Sequence, residues 1–134
     1  MYKLSEPYLI GNENKYLNDC VKTNWLTSGG KYVNLFEEAL RNFTGARYVV
    51  SCVNGTAALH LSLKMLGIKE NDEVIVPTIT FIATINTIVY NKAKPIFMDV
   101  DNFYNIDPKK YDKFIKQNTY FKHGKCYNKL TGNR

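Results

Sequence analysis

The chain reads as an α/β protein built on a parallel sheet, with helices ahead of it, and three observations predict that class. Apolar, β-branched runs of strand length recur at YVVSCV (48–53), EVIVP (73–77) and KPIFMDV (94–100). Their starts lie about two dozen residues apart, too far for a hairpin. Between them, apolar residues recur at three- and four-residue spacing, so each strand leads into a helix. That alternation is the βαβ pattern, which gives parallel pairing.

Taken in order, residues 12–24 place Tyr16, Cys20 and Val21 on one helical side and Lys15, Asn18 and Lys22 on another. TNWLTSGGKYV interrupts the period, and Ser28-Gly29-Gly30 marks a loop. Helical spacing resumes over 34–43 through Leu35, Phe36, Ala39, Leu40 and Phe43, and Thr44-Gly45 closes it. After the first strand run, residues 56–66 are helical, with Gly67 as the stop. Residues 81–90 form the next helix, although their Thr and Ile content gives poor propensity and periodicity must carry the assignment. Asp107-Pro108 opens a last helix, a capping residue followed by a first-turn proline, running to Gln117. Residues 118–134 have no sustained period and read as a loop or hairpin that ends without reaching another element. The expected division is an N-terminal helical segment (1–46), a βαβ core (47–117) and a polar tail (118–134).

Composition narrows the class. With 134 residues, 45% hydrophobic and 13% aromatic, the chain has enough apolar surface for a globular core. No apolar run approaches the ~20 residues that cross a bilayer. The opening MYKLSEPYLIGNENKY lacks a signal core, so a cytoplasmic location is expected. Cys20, Cys52 and Cys126 are odd in number and widely spaced, which fits neither a disulfide framework nor a zinc site. They read as thiols of a reducing compartment, with no metal expected. A net charge of +6 suggests anionic partners, yet the basic residues are scattered or crowded into Lys109–Arg134. No recognition-helix pattern or aromatic RNA-binding signature accompanies them, so a nucleic-acid partner is not expected.

The chemistry-bearing stretch is VNGT (53–56). In an open parallel sheet, ligands sit beyond the carboxyl ends of the strands, where VNGT, TITF (78–81) and DVD (99–101) would meet. Gly55 removes a side chain where a ligand must approach, and the helix start offers free N–H groups and partial positive charge. Those features favour a phosphate, with the Thr56 hydroxyl as a further donor. The tripeptide alone equally fits a plain strand-to-helix turn capped by Asn54. There is no GxxxxGK[ST] and no GxGxxG, which disfavours a nucleoside triphosphate or a dinucleotide.

The order of several motifs is more telling. NGTAALHLSLKMLGI, NDEVIVPTITFIATINTIVY and AKPIFMDVDNFYNIDP, preceded by TNWLTSGGKYVNLFEEAL, closely resemble the N-terminal third of the DegT/StrS family of sugar aminotransferases. The resemblance implies a partial large domain of a fold-type I enzyme and the cofactor pyridoxal 5′-phosphate. It implies that Gly55 and Thr56 hold the cofactor phosphate, with Ala57 lending its N–H, and that Phe81 stacks on the pyridine ring. The family's usual Ser before the Gly-Thr pair is Asn54 here. Leu26, Thr27, Ser28 and Gly29, after Trp25, match the loop expected to line a sugar-nucleotide site. The tail FKHGKCYNKLTGNR resembles an insertion of the branch that aminates UDP-linked 4-keto-6-deoxy-N-acetylhexosamines, towards bacillosamine- and legionaminic-type sugars. The implied reaction moves an amino group, from glutamate, to C4 of that sugar, in a homodimer.

Family members carry a Schiff-base lysine and a carboxylate facing the pyridine nitrogen on later strands. No lysine here has that context; Lys64 and Lys69 read as helix surface and turn. The expectation is therefore an N-terminal fragment, without the rest of the large domain and the small domain, inactive alone, with no catalytic residue assigned within it. A non-catalytic phosphate- or nucleotide-binding module is the alternative reading. Asp99 and Asp101 read as strand end and turn rather than metal ligands, His60 as a packed side chain, and His123 receives no role.

Overall fold

A computed structural model describes residues 5–134, so the first four residues of the expected helical segment lie outside the described part. The chain divides between Ser51 and Cys52 into two compact units. The first holds α1 (Glu13–Lys22) and α2 (Lys31–Thr44). The α1 range agrees with the sequence periodicity. The second helix begins three residues before the expected Asn34, because extended Gly30 serves as its N-cap. It ends at Gly45, whose φ of 71° suits a left-handed cap, with its N–H on the Arg41 carbonyl.

The second unit runs α3 (Gly55–Met65), β1 (Glu73–Pro77), α4 (Ile82–Tyr90), β2 (Lys94–Met98), α5 (Pro108–Asn118), β3 (Thr119–Lys122) and β4 (Lys125–Asn128). β1 and β2 pair in parallel with Glu73 opposite Lys94 and Pro77 opposite Met98, and α4 is the crossover. Val76, Ile88 and Ala93 form the buried centre, flanked by Leu63, Ile68, Val74 and Ile85. This packing explains why α4 is a helix despite its composition. Ala83, Thr87 and Ile88 fall on one buried face, and the Thr87 hydroxyl, 1% exposed, donates to the Thr84 carbonyl. Tertiary burial outweighs weak propensity.

Three expectations need correction. The run 48–53 pairs with no strand among the described residues. A strand needs a ladder partner, and here the Ser51 N–H donates instead to Glu37 Oε1 at 2.7 Å, with the Ser51 hydroxyl on the same oxygen at 2.9 Å. The tail, in turn, does reach another element. β3 and β4 form an antiparallel hairpin, and beyond it Thr131 and Asn133, with Asn128, donate to the Glu73 carboxylate at the start of β1. The third strand run also stops at Met98, and Val100 forms only an isolated bridge with Ile106.

Candidate functional site

α3 packs against α4 and precedes β1, while α4 leaves the carboxyl end of β1. α4 connects the parallel strands β1 and β2 and runs against them, so its amino end lies on the carboxyl side of the sheet. Gly55 and Thr56 open α3, and Phe81 caps α4 with extended backbone, its ring 79% exposed.

The start of α3 is suited to an anion. Asn54 is its N-cap, and the Asn54 Oδ1 accepts from the Ala57 N–H at 2.8 Å; the Ala58 N–H reaches the Asn54 carbonyl at 3.1 Å. The Gly55 and Thr56 N–H groups and the Thr56 hydroxyl have no acceptor or partner among the described residues. A Cβ built on Gly55 would meet nothing within 4 Å, so the space before these donors is open. Two convergent free N–H groups, a hydroxyl and the helix dipole fit a phosphate ester. The Ala57 N–H expected as a third donor is held by Asn54 in this conformation, which is the local cap that the Asn-Gly-Thr sequence also allowed.

Neighbouring polar groups are occupied structurally. The Asp99 carboxylate pairs with Lys110 Nζ at 2.8 Å. That hydrogen bond holds the Lys110 ammonium above the usual lysine range, against the opposing effect of burial. Asp101 Oδ1 accepts from the Phe103 and Asn105 N–H groups, an Asx turn. His60 packs edge-on against Tyr90 with centroids 5.8 Å apart, and its Nε2 is buried without a partner among the described residues. No group of three or more His, Cys, Asp or Glu side chains among the described residues could hold a metal ion. No helix among them is long and apolar enough to cross a membrane.

In the other unit, Leu26, Thr27, Ser28 and Gly29 form the link between α1 and α2. The Thr27 and Ser28 hydroxyls make no hydrogen bond to a described residue. What the sequence reading missed is the side chain that ties the flanking helices. Asp19 Oδ2 accepts from Tyr32 Oη at 2.9 Å and from Lys31 Nζ at 3.4 Å. The Tyr32 hydroxyl, more than Lys31, holds the Asp19 carboxyl below its usual range. No local pattern announced it, because Asp19 and Tyr32 lie on either side of a link with no period of its own.

A family model described as the DegT/DnrJ/EryC1/StrS aminotransferase family matches residues 7–124. A GDP-perosamine synthase from Vibrio cholerae is 46% identical over 101 residues, 75% of this chain and 28% of the relative. A UDP-4-amino-4-deoxy-L-arabinose–oxoglutarate aminotransferase from Shewanella sediminis is 41% identical over 98 residues, 73% of this chain and 25% of the relative. The crystal structure of NtdA from Bacillus subtilis with bound cofactor PMP superposes with a TM-score of 0.70 at 33% identity, covering 75% of this chain and 23% of that one. The chain thus spans less than a third of the length of these relatives.

Proposed function

The chain belongs to the DegT/DnrJ/EryC1/StrS aminotransferase family, and from that premise we propose that it is the N-terminal part of a pyridoxal-phosphate-dependent nucleotide-sugar aminotransferase. Residues 1–46 are assigned to its leading helical segment, 47–117 to the βαβ core of its large domain and 118–134 to a polar insertion. The intact protein is proposed to act as a cytoplasmic homodimer, with glutamate as amino donor. Its substrate is proposed to be a UDP-linked 4-keto-6-deoxy-N-acetylhexosamine aminated at C4. Relatives named for a GDP-linked and for a UDP-linked sugar are 46% and 41% identical to this chain, so the UDP choice rests on the tail alone.

One observation carries the reading: the unpartnered Gly55 and Thr56 N–H groups before open space at the start of α3. They would hold the phosphate of the cofactor, and the Thr56 hydroxyl would add a third contact. Phe81, exposed at the start of α4, would lie flat on the ring and keep water from one face. When bound, pyridoxal phosphate supplies an electron sink for chemistry at the amine-bearing carbon. Thr27 and Ser28 would offer hydroxyls to sugar or diphosphate oxygens. The lysine and carboxylate that complete such a site are placed by resemblance on later strands, so this chain alone is proposed to bind without turnover.

The test compares pyridoxal phosphate with pyridoxal, which lacks the ester, by calorimetric titration of the purified chain. Pyridoxal phosphate should bind, and pyridoxal should bind at least ~10-fold more weakly, since charge-assisted hydrogen bonds contribute about 1.5–3 kcal/mol each. Gly55→Val places its Cβ in open space before the donors and should abolish that preference while leaving the thermal melt nearly unchanged. Equal affinity for the two compounds would sink the cradle.

A further inference from the structure

Leu26, Thr27, Ser28 and Gly29 make no hydrogen bond, through backbone or side chain, to any described residue. A link without bonds of its own is placed by its two ends. At the leading end, the Trp25 N–H donates to the Cys20 carbonyl at 3.0 Å, and Thr23 Oγ1 donates to the Asp19 carbonyl at 2.7 Å. At the trailing end, the Val33 and Asn34 N–H groups donate to the Gly30 carbonyl and start α2. The Asp19 side chain joins the two ends. It sits one turn before the end of α1, and both its partners, Lys31 and Tyr32, are the first residues of α2. The Tyr16 and Tyr32 rings, 4.9 Å apart, continue the seam. Beside it lies a cavity of about 300 Å³ whose lining includes Asp19, Trp25, Thr27, Lys31 and Tyr32.

We infer that Asp19 is a positioning residue: by accepting from Tyr32 it clamps α1 to α2 and so fixes how the intervening link presents the Thr27 and Ser28 hydroxyls to a nucleotide-linked sugar. The inference rests on the proposed reading of residues 26–29 as the substrate loop. Magnitudes separate its two partners. The Lys31–Asp19 pair is exposed, with side-chain exposures of 66% and 39%, and such pairs are screened and contribute little. The Tyr32 bond is shorter, half-buried and backed by the ring contact, so it carries the clamp. Substrate hydroxyl contacts are sensitive to small displacements; a 1 Å misplacement can cost on the order of 100-fold in rate.

The experiment uses the full chain, with UDP and GDP as probes and with ¹⁵N relaxation of residues 26–29 as a readout independent of ligand. Trp25 is the sole tryptophan, so its emission reports nucleotide binding at the loop. In the unaltered chain the loop amides should show order parameters near those of the helices. Tyr32→Phe, which removes one oxygen, and Asp19→Ala should drop them below ~0.6 while far-UV circular dichroism is unchanged; Lys31→Met should leave them in place. Both clamp variants should raise the UDP dissociation constant ~10-fold. A loop that is already disordered in the unaltered chain, or stays ordered in Tyr32→Phe, overturns the clamp. Equal UDP affinity of the unaltered chain and Tyr32→Phe overturns the positioning role. If the order is lost as expected but the unaltered chain binds neither UDP nor GDP, the clamp stands and the substrate-loop reading fails.

Discussion

Asn54 Oδ1 lies 2.8 Å from the Ala57 N–H, which makes Asn54 both the cap of α3 and a competitor with an anion for that donor. The two uses separate by mutation. Asn54→Ala removes a side-chain cap and should cost about 1 kcal/mol in a denaturant titration, whereas Asn54→Gly should cost only a few tenths. Pyridoxal phosphate affinity should be unchanged or tighter in both variants, because the Ala57 donor is released. A loss of affinity that matched the loss of stability would show that the cap itself is needed to shape the cradle. At this scale much was legible beforehand. Gly55 and Thr56 open a helix, as their place after an apolar run and before a helical period required. The competing use of the Ala57 N–H was legible only as one of two readings, since a capping Asn and an anion site ask for the same tripeptide. The Asp19–Tyr32 bond was not legible, because it depends on how two helices meet across a link with no period of its own.

Elements were most legible where local spacing and burial agree. EVIVP is β1 over its full length, and the helix after it starts within a residue of the expected Phe81. YVVSCV has the same local character, yet strand formation also demands a ladder, and among the described residues none is offered; Val53 is 90% exposed. The β3–β4 hairpin illustrates the converse. Its two-residue turn, His123-Gly124, has φ of 48° and 72°, the left-handed pair that suits the twist of a hairpin. Gly takes such angles without cost, while His is tolerated rather than preferred. His123→Asn should therefore stabilise the hairpin by a few tenths of a kcal/mol, and Gly124→Val should destabilise it by about 1–2 kcal/mol. Amide exchange across the Tyr120–Tyr127 pair, whose rings stack 5.6 Å apart, would measure both. A neutral Gly124→Val would mean that the turn is not formed as described.

At the scale of the whole molecule, the tail is bound to the start of the sheet by contacts more than fifty residues apart in sequence, which no local pattern announces. Glu73 accepts from Asn128 Nδ2 at 2.7 Å, Thr131 Oγ1 at 2.6 Å and Asn133 Nδ2 at 3.3 Å. Beside it, the Arg134 guanidinium bonds Asp72 and the Gly67 carbonyl, while Asp72 also accepts the Lys69 N–H. Burial pushes the Glu73 carboxyl up, but the hydrogen bonds from Thr131, Asn128 and Asn133, with the nearby Lys94 charge, together hold it below its ordinary value of 4.5. A carboxylate whose folded-state value is depressed contributes stability that is full above the unfolded value and lost as pH falls through the folded one. Docking of the tail should thus be constant from neutral pH down to about 5 and weaken only below 4.5. Protection factors of the Asn128, Lys129 and Gly132 amides, which remove the intrinsic pH dependence of exchange, should fall in that window while those of α4 persist. Glu73→Gln should lower the same protection at pH 7 and flatten its change below 4.5, because no charge remains to be neutralised at that position. If tail protection in the unaltered chain instead faded between pH 7 and 5, where Glu73 stays ionised, the Glu73 carboxylate would not be what holds the tail against β1.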